Sequence, residues 1–506
     1  MKILFATSEA HPLIKTGGLA DVSGSLPNAL KKLKHQVRMV LPAYHDVMEK
    51  LPDKSYRQVA SFKIGGCGKQ LDVRILQLKA GAFDSIEVPV WLVDIPALFG
   101  RAGNPYLAED GTDWWDNGER FGVFSKVITE LAMDRCNLKW AADVVHLNDW
   151  QTGLAAGLLS VEIHRPKTIF TIHNMAYPGN FPKQLFDGLG LPNNLWSMHG
   201  VEFWGHFSML KAGVAYADWI TTVSPTYARQ ICTYEYAYGF EGILQERAGQ
   251  GRLIGILNGI DEHVWNPHSD PLIPYRYSEK KGRTSAKRKN KAELLKTFCA
   301  LHPDQSLPDE NRFDEWLDRP LIGFVGRLVA QKGIDLVLSV LPEILATTDA
   351  NFAFIGSGDK HFEAELCRIS RDFPKRVWCH IGYSEELAHL VEAGTDMFLM
   401  PSRFEPCGLN QMYSLAYGTP PIVHHTGGLA DTVVNANEDA LKSGEATGFV
   451  FYEPNRHALL STILHALYLF TNKKRRWQQI QKQGMLQTFD WKESAKQYES
   501  LYKEIL

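Results

Sequence analysis

What this sequence lacks narrows the field before any motif is read. It has no uninterrupted apolar run of the roughly 20 residues that a transmembrane helix needs. The opening run from Ile3 to Ala6 is also too short for the centre of a secretory leader. An excess of charge is missing too: 54 Lys and Arg stand against 57 Asp and Glu, a net of −3. That balance supplies no long-range pull, so neither nucleic acid nor a membrane is expected as a partner. The seven cysteines are scattered, odd in number and without a C-x-x-C pair, which argues against a disulfide framework or a zinc ribbon. A reducing compartment, the cytoplasm, fits them best. There is no H-E-x-x-H, no tight His/Asp cluster to hold a metal, and no G-x-x-x-x-G-K-[ST] phosphate loop. Gly356-Ser-Gly358 lacks the third glycine of a dinucleotide fingerprint. No metal and no cofactor are therefore expected.

What is there is a chain of 506 residues, too long for one ordinary core. Ile3 to Ala6, Val37 to Leu41, Asp143 to Leu147 and Thr168 to Ile172 read as short buried strands. They alternate with helical stretches, which predicts a parallel sheet covered on both faces. The pattern breaks over Pro271 to Lys291, rich in Pro, Tyr and basic residues, with Lys287-Arg288-Lys289 at its centre. That segment reads as a solvated linker or loop, the alternative being a ligand contact. The pattern restarts at Leu321 to Val325, with Phe352 to Ile355, Trp378 to Ile381 and Met397 to Met400 as neighbouring strands. The expectation is an α/β protein of two doubly wound lobes, residues 1–265 and 266–490.

One turn occurs twice. Thr16-Gly-Gly-Leu-Ala-Asp21 recurs letter for letter as Thr426-Gly-Gly-Leu-Ala-Asp431. Both copies follow a strand and open a helix, where glycines admit a ligand to the backbone and the helix start favours anions. The alternative is two unrelated helix starts. Beyond the strand ending at Val325 lie Arg327 and Lys332, a fork and a point charge suited to a diphosphate, or else a pair of surface cations. Beyond Met400 comes Pro401-Ser-Arg-Phe-Glu405-Pro-Cys-Gly408-Leu409, the last two residues opening a helix. Glu405 there would bind sugar hydroxyls and stabilise an oxocarbenium-like centre, or simply support the helix dipole. His173 and Asp149 also stand at strand ends, whereas His146 reads as structural.

The ordered set of these blocks resembles bacterial glycogen synthases and plant starch synthases from residue 1 to about residue 490. Its members are Ser8-Glu9 with Lys15 to Val22, Thr171-Ile-His-Asn174, Thr222-Val-Ser-Pro225, Asn258-Gly-Ile-Asp261, Gly326-Arg327, Lys332-Gly333, Ser402 to Leu409 and Thr426 to Asp431. The resemblance implies the GT-B fold, two Rossmann-like lobes with an active-site cleft between them. It assigns the acceptor to the first lobe and the nucleotide sugar to the second, and packs the last helix, from about residue 491, back onto the first. It implies a hexosyltransferase of glycogen biosynthesis that moves glucose from ADP-glucose to the end of an α-1,4-glucan with retention, releasing ADP. A UDP-glucose enzyme or a non-catalytic glucan-binding protein is the alternative. Carried over, Lys15 and Gly18 meet phosphate or sugar, and Arg327 and Lys332 neutralise the diphosphate. Glu405 meets the glucose with the amides of Cys407, Gly408 and Leu409, and Thr426 and Gly427 line the distal phosphate. Tyr383 stacks on the base, His173 bonds the 6-hydroxyl, and Asp149 and Asn258 shape the sugar and acceptor site.

Overall fold

The computed structural model describes residues 1–52, 54–79, 81–83, 85–280, 283–302 and 313–506. The chain divides into two units, Met1–Gly259 with Trp491–Leu506, and Ile260–Asp490. The first passage between them therefore falls after Gly259, earlier than the expected residue 265.

The first unit contains β1 (Lys2–Ala6), β2 (Gln36–Pro42), β3 (Tyr56–Gly65), β4 (Gln70–Leu78), β5 (Val90–Asp94), β6 (Val144–Asn148), β7 (Lys167–Ile172), β8 (Asn180–Pro182), β9 (Glu202–Phe203), β10 (His206–Ser208), β11 (Trp219–Thr222) and β12 (Leu253–Gly255). Strands β8, β10 and β9 make a small antiparallel sheet. The others form one sheet in the order β12-β11-β7-β6-β1-β2-β5-β4-β3, parallel except where β4 meets β5 and β3. β6 is buried along its whole length, as a strand covered on both faces must be. β4 instead alternates, with Leu71, Val73 and Ile75 inward and Asp72 and Arg74 outward, the mark of a sheet margin with one wet face.

The second unit contains β13 (Leu321–Val325), β14 (Asn351–Gly356), β15 (Val377–Ile381), β16 (Met397–Met400), β17 (Pro421–His424) and β18 (Phe449–Phe451). They lie in the order β15-β14-β13-β16-β17-β18, all parallel. Alternate residues of β14 feed separate cores. Phe352 and Phe354 pack with Val337 and Ile344, while Ala353 and Ile355 pack with Leu294 and Phe298.

Both sheets share one topological event. Strands are added outward from β1 through β2 to β5, then from β6 through β7, on the other side of β1. In the second unit the same reversal separates β13 from β16. At such a reversal the two following loops diverge and leave a crevice beyond the carboxyl ends of the strands, where ligands of open α/β sheets bind.

The basic run centred on Lys287 is not a solvated linker. It lies in the helix Arg283–Leu301, and Lys287 and Lys291 are buried one turn apart. Lys287 Nζ donates to Glu392 O, Ala393 O and Thr419 Oγ1 (3.2, 3.1 and 2.6 Å), so it satisfies carbonyls at the end of the helix Glu385–Gly394. Lys291 Nζ pairs with Asp396 at 2.7 Å. Arg288 reaches outward to Asp314 and Asp318, and exposed Lys289 lies over the Tyr275 ring at 5.2 Å.

The final helix, Trp491–Ile505, buries Trp491, Tyr498, Leu501 and Tyr502 within the first unit. Tyr502 OH lies 2.7 Å from His146 Nδ1, and Thr171 Oγ1 lies 2.6 Å from the other ring nitrogen. His146 is thus a satisfied core histidine.

In the second unit Trp265 is sandwiched between His389 and Tyr413, with ring centroids 3.7 and 3.9 Å away. His389 Nδ1 also meets buried Asp270 at 2.8 Å. Burial alone would depress the imidazole, but the bonds to Asp270 and Glu385 outweigh it and raise the pKa to about 9. A folded pKa above the ordinary one means that protonation favours folding. This contribution is complete below about pH 6.5 and is lost as pH rises through about 9. His389→Gln should therefore cost most near neutrality and below, up to ~3 kcal/mol, and progressively less toward about pH 9.5, as read by urea denaturation of both proteins.

Candidate active site

The reversal in the second unit brings together the loops after β13 and β16. The first loop closes in a short turn, Ala330–Lys332, and then Gly333 adopts φ +72°. A side chain there would start 2.2 Å from Pro401 O, so the two loops touch backbone to backbone. That contact carries Lys332 to the β16 loop, where its Nζ lies 2.5 Å from Glu405 Oε2. The same oxygen accepts from Ser402 Oγ at 3.0 Å. Glu405 is only 8% exposed, so its charge is held by a cation and a hydroxyl rather than by bulk water. A cavity of about 70 Å³ opens beside the pair, bordered by Gly326, Lys332, Ser402, Glu405, Gly408 and Asn410. Asn410 Nδ2 donates to Val325 O at 2.9 Å, tying the start of the helix Asn410–Ala416 to the end of β13. The helix begins at Asn410, two residues after the Gly408 start that the sequence implied. Arg327 is exposed beside this region, its guanidinium 3.3 Å from Gln331 Oε1.

The second Thr-Gly-Gly turn is packed onto the Glu405 loop. Gly428 N donates to Glu405 O and Pro406 O, each at 3.2 Å. A Cβ on Gly427 would lie 1.9 Å from Glu405 O, and one on Gly428 2.0 Å from Cys407 O. Thr426 is fully buried, and the helix Gly427–Thr432 follows. Gln411 Nε2 bonds Cys407 O and Gly408 O at 3.0 and 3.1 Å, which fixes the backbone on the other side of the carboxylate. Tyr383 stands apart from this packing. It follows β15, is 69% exposed, and precedes Ser384, whose hydroxyl caps the helix Glu385–Gly394 by accepting from Leu387 N at 3.2 Å. Gly356-Ser-Gly358 is explained by closeness alone, since a Cβ on Gly356 would meet Gly326 O at 1.9 Å.

In the first unit the reversal brings together the loops after β1 and β6. Glu9, 3% exposed, organises the first. Its carboxylate accepts from Thr16 N (2.5 Å), Gly17 N (3.2 Å), Thr16 Oγ1 (2.7 Å) and Tyr106 OH (2.5 Å). The first Thr-Gly-Gly turn is thereby pinned at its root while Gly17 and Gly18 face open space, with nothing within 4 Å of an added Cβ. Lys15 is exposed and pairs with Asp21 at 2.8 Å.

Asp149 ends the β6 loop with φ +55° and ψ 179°, a region that side-chain-bearing residues rarely occupy. It is held there by Asp149 N on Thr171 O (2.9 Å) and by His173 N donating to its carboxylate (2.7 Å). Burial raises its pKa to about 7 against the opposing amide bonds from His173 and Asn174. His173 has one ring nitrogen 2.9 Å from Asn148 Oδ1. Burial lowers its pKa to about 3, so its imidazole is neutral at physiological pH. Asn258 is buried, and its Oδ1 has no hydrogen-bond partner.

The structure thus gathers Lys332, Glu405, Cys407, Gly408, Leu409, Thr426 and Gly427 around one reversal, and His173 and Asp149 around the other. Tyr383 and Arg327 are exposed outside the packed cluster. Sequence reasoning assigned no role to Glu9, Tyr106, Asn148, Ser402 or Asn410. Glu9 and Ser402 stood inside quoted motifs, but Tyr106 lies 97 residues from its partner and left no local sign. Among the described residues one group, His45, Asp46 and Glu49, has possible metal-ligand atoms within 4.8 Å of one another; it lies on the short helix His45–Lys50 that follows β2.

Comparisons with known proteins identify the family. Residues 2–246 match the family described as the starch synthase catalytic domain, and residues 308–483 match glycosyl transferases group 1. A glycogen synthase of Hydrogenovibrio crunogenus is 61% identical over 507 aligned residues, covering all of both chains. One of Thioalkalivibrio sulfidiphilus is 48% identical, again over the whole of both. Among solved structures, the catalytic domain of starch synthase IV from Arabidopsis thaliana, bound to ADP and acarbose, superposes with TM-score 0.85 at 28% identity over 99% of this chain and 98% of that one. The chain belongs to the glycogen and starch synthase family, glycosyltransferases of the GT-B fold with two Rossmann-like domains.

Proposed function

We propose that the chain moves glucose from ADP-glucose to the non-reducing end of an α-1,4-glucan in the cytoplasm, releasing ADP and retaining the α configuration. The observation that carries this reading is the Lys332–Glu405 pair at the reversal of the second sheet. On this reading Lys332 supplies a cation to the departing phosphate and Glu405 a carboxylate to the sugar that the phosphate leaves. ADP in the related starch synthase structure supports adenosine diphosphate as that leaving group.

The roles are those that the family resemblance assigns, and the placement of the residues supports them. Departure of the diphosphate develops negative charge on oxygen and positive charge on the sugar carbon. Lys332 and Arg327 neutralise the first. Glu405 and the amides of Cys407, Gly408 and Leu409 hold the glucose and stabilise the second. Thr426 and Gly427 take the distal phosphate, Lys15 and Gly18 take phosphate or sugar from the first unit, and exposed Tyr383 stacks on the base. Neutral His173 bonds the 6-hydroxyl without adding a charge that would oppose the developing cation. Asp149 and Asn258 order the sugar and the acceptor. The departing oxygen then accepts the proton of the incoming 4-hydroxyl, so bond breaking and bond forming share one face and the configuration is kept.

Glucose incorporation into glycogen should be far faster with ADP-glucose than with UDP-glucose in parallel assays; the opposite preference would refute the donor assignment. Lys332→Ala or Arg327→Ala should lower turnover about 10²–10³-fold, the scale of removing one preorganised charge-stabilising group, with little change in glycogen affinity. Unchanged turnover in either variant would remove that residue from the mechanism. The two copies of the repeated turn should respond differently to an added methyl. Gly427→Ala, which would collide with Glu405 O, should destabilise the protein by on the order of 3 kcal/mol. Gly17→Ala, which meets only open space but puts alanine at the N-cap of the helix Gly18–Lys32, should cost no more than about 1 kcal/mol while raising the KM for ADP-glucose.

A further inference from the structure

The small sheet of the first unit carries a feature that folding alone does not account for. Strands β9 and β10 pair Phe203 with His206, leaving Trp204-Gly205 as a two-residue turn. Both have positive φ, +51° and +80°. That turn ordinarily takes Asn, Asp or Gly in its first position, because a bulky side chain is strained there. Here it holds a tryptophan that is 81% exposed. The ring gains little burial, and the backbone bears strain to present it. The turn is rigidly built all the same: Gly205 N donates to Glu202 Oε1 at 2.6 Å, and Phe203 stacks on Phe240 at 4.1 Å.

A second strained aromatic stands beside it. Tyr238 has φ +52° and is 48% exposed. The next residue, Gly239, lies so close that its Cβ would be 3.2 Å from Phe203 and 3.5 Å from the Trp204 indole nitrogen. Tyr177, 54% exposed, is near enough for its hydroxyl to act electrostatically on that of Tyr238. Three large exposed rings thus share one patch, two of them held by backbone that favours other residues. Strain retained at exposed side chains marks function rather than packing. The patch also continues from the candidate site, for the loop that leaves β7 with His173 carries Tyr177 and then enters the small sheet as β8.

We propose that Tyr177, Trp204 and Tyr238 form a platform for outer glucose units of the acceptor glucan, beyond the unit that receives the transferred sugar; this rests on the glucan acceptor proposed above. A pyranose offers C–H faces that suit the electron-rich faces of these rings, and hydroxyls that suit the phenol and indole polar edges. A linear glucan repeats such faces, so one patch of rings can engage successive units. The platform adds affinity for long acceptors and takes no part in the chemistry.

Replacement by Asn at the strained positions separates folding from binding, because Asn tolerates positive φ better than an aromatic ring does. Trp204→Asn and Tyr238→Asn should melt no lower than the parent. Each should weaken glycogen retardation of the protein in native gels, and raise the KM for glycogen, by about fivefold, the scale of one stacked aromatic contact. Turnover on maltose and the KM for ADP-glucose should stay within about twofold of the parent, since neither ring touches the reacting groups. Parental glycogen affinity in W204N would overturn the platform, as would an equal loss on maltose and glycogen. A change in oligomeric mass would overturn it too, by showing the patch to be a contact between copies. Parental ADP release in the same assays tells the two readings apart. Transfer by the parent with undiminished affinity in W204N refutes only the platform. Retardation that W204N weakens about fivefold supports the platform even if no transfer occurs.

Discussion

The carboxylate of Glu405 is held by backbone that has no room to move. Gly333 presses on Pro401, Gly427 on Glu405 itself, and Gly428 on Cys407, each at a distance that excludes a side chain. Gln411 clamps the same loop from the other side. Close-packed backbone fixes a position more firmly than a side-chain network does, because it has no rotamers to exchange. The Lys332–Glu405 pair therefore inherits its geometry from the joining of β13 and β16 loops, and the rest of the second unit serves to bring those two strands together. A partly buried ion pair contributes little net stability once desolvation is counted. Its retention at a sheet reversal is better explained by what a cation beside a carboxylate can do to a glycosyl diphosphate.

The repeated Thr-Gly-Gly-Leu-Ala-Asp turn shows how one string of letters meets two physical demands. In the second unit the glycines are required by neighbours, since any Cβ would strike carbonyl oxygens of the Glu405 loop. In the first unit no neighbour requires them. The buried carboxylate of Glu9 secures the turn at Thr16 and Gly17 and leaves the following backbone open. One copy is glycine-rich to allow packing, and the other is glycine-rich with space in front of it. The proposed difference is that the first copy meets its ligand with open backbone, whereas the second both takes the distal phosphate through Thr426 and Gly427 and fixes the Glu405 loop by close packing.

Much of the fold was legible because buried parallel strands are short, apolar and bounded by turns, as at β1, β6, β7, β13 and β16. The sheet margin β3–β4 went unread, although β4 alternates cleanly between inward and outward residues. Continuous apolar runs mark strands buried on both faces, and an alternating strand with one wet face is not one. The basic run at Lys287 was misread for a related reason. Charge ordinarily seeks water, and only the tertiary structure reveals helix-end carbonyls waiting for an ammonium group. At the site, motifs placed Lys332 and Glu405 at strand ends, but their direct pairing depends on contact between residues 73 positions apart. The strained backbone of Asp149 and the hold of Glu9 on Tyr106 likewise exist only once the strands are assembled.

The central claim is that Glu405 and Lys332 act on one glycosyl centre, the carboxylate sustaining a cationic sugar while the diphosphate leaves and its oxygen receives the acceptor proton on the same face. Stereochemistry reports on this directly. The measurement is a proton NMR time course of ADP-glucose with maltotriose, following the anomeric signals of the first-formed product alongside release of ADP. Retaining transfer gives one new α-1,4-linked glucosyl signal per ADP from the earliest times. An initial β-linked product, or free glucose accumulating in step with ADP without chain growth, would contradict it.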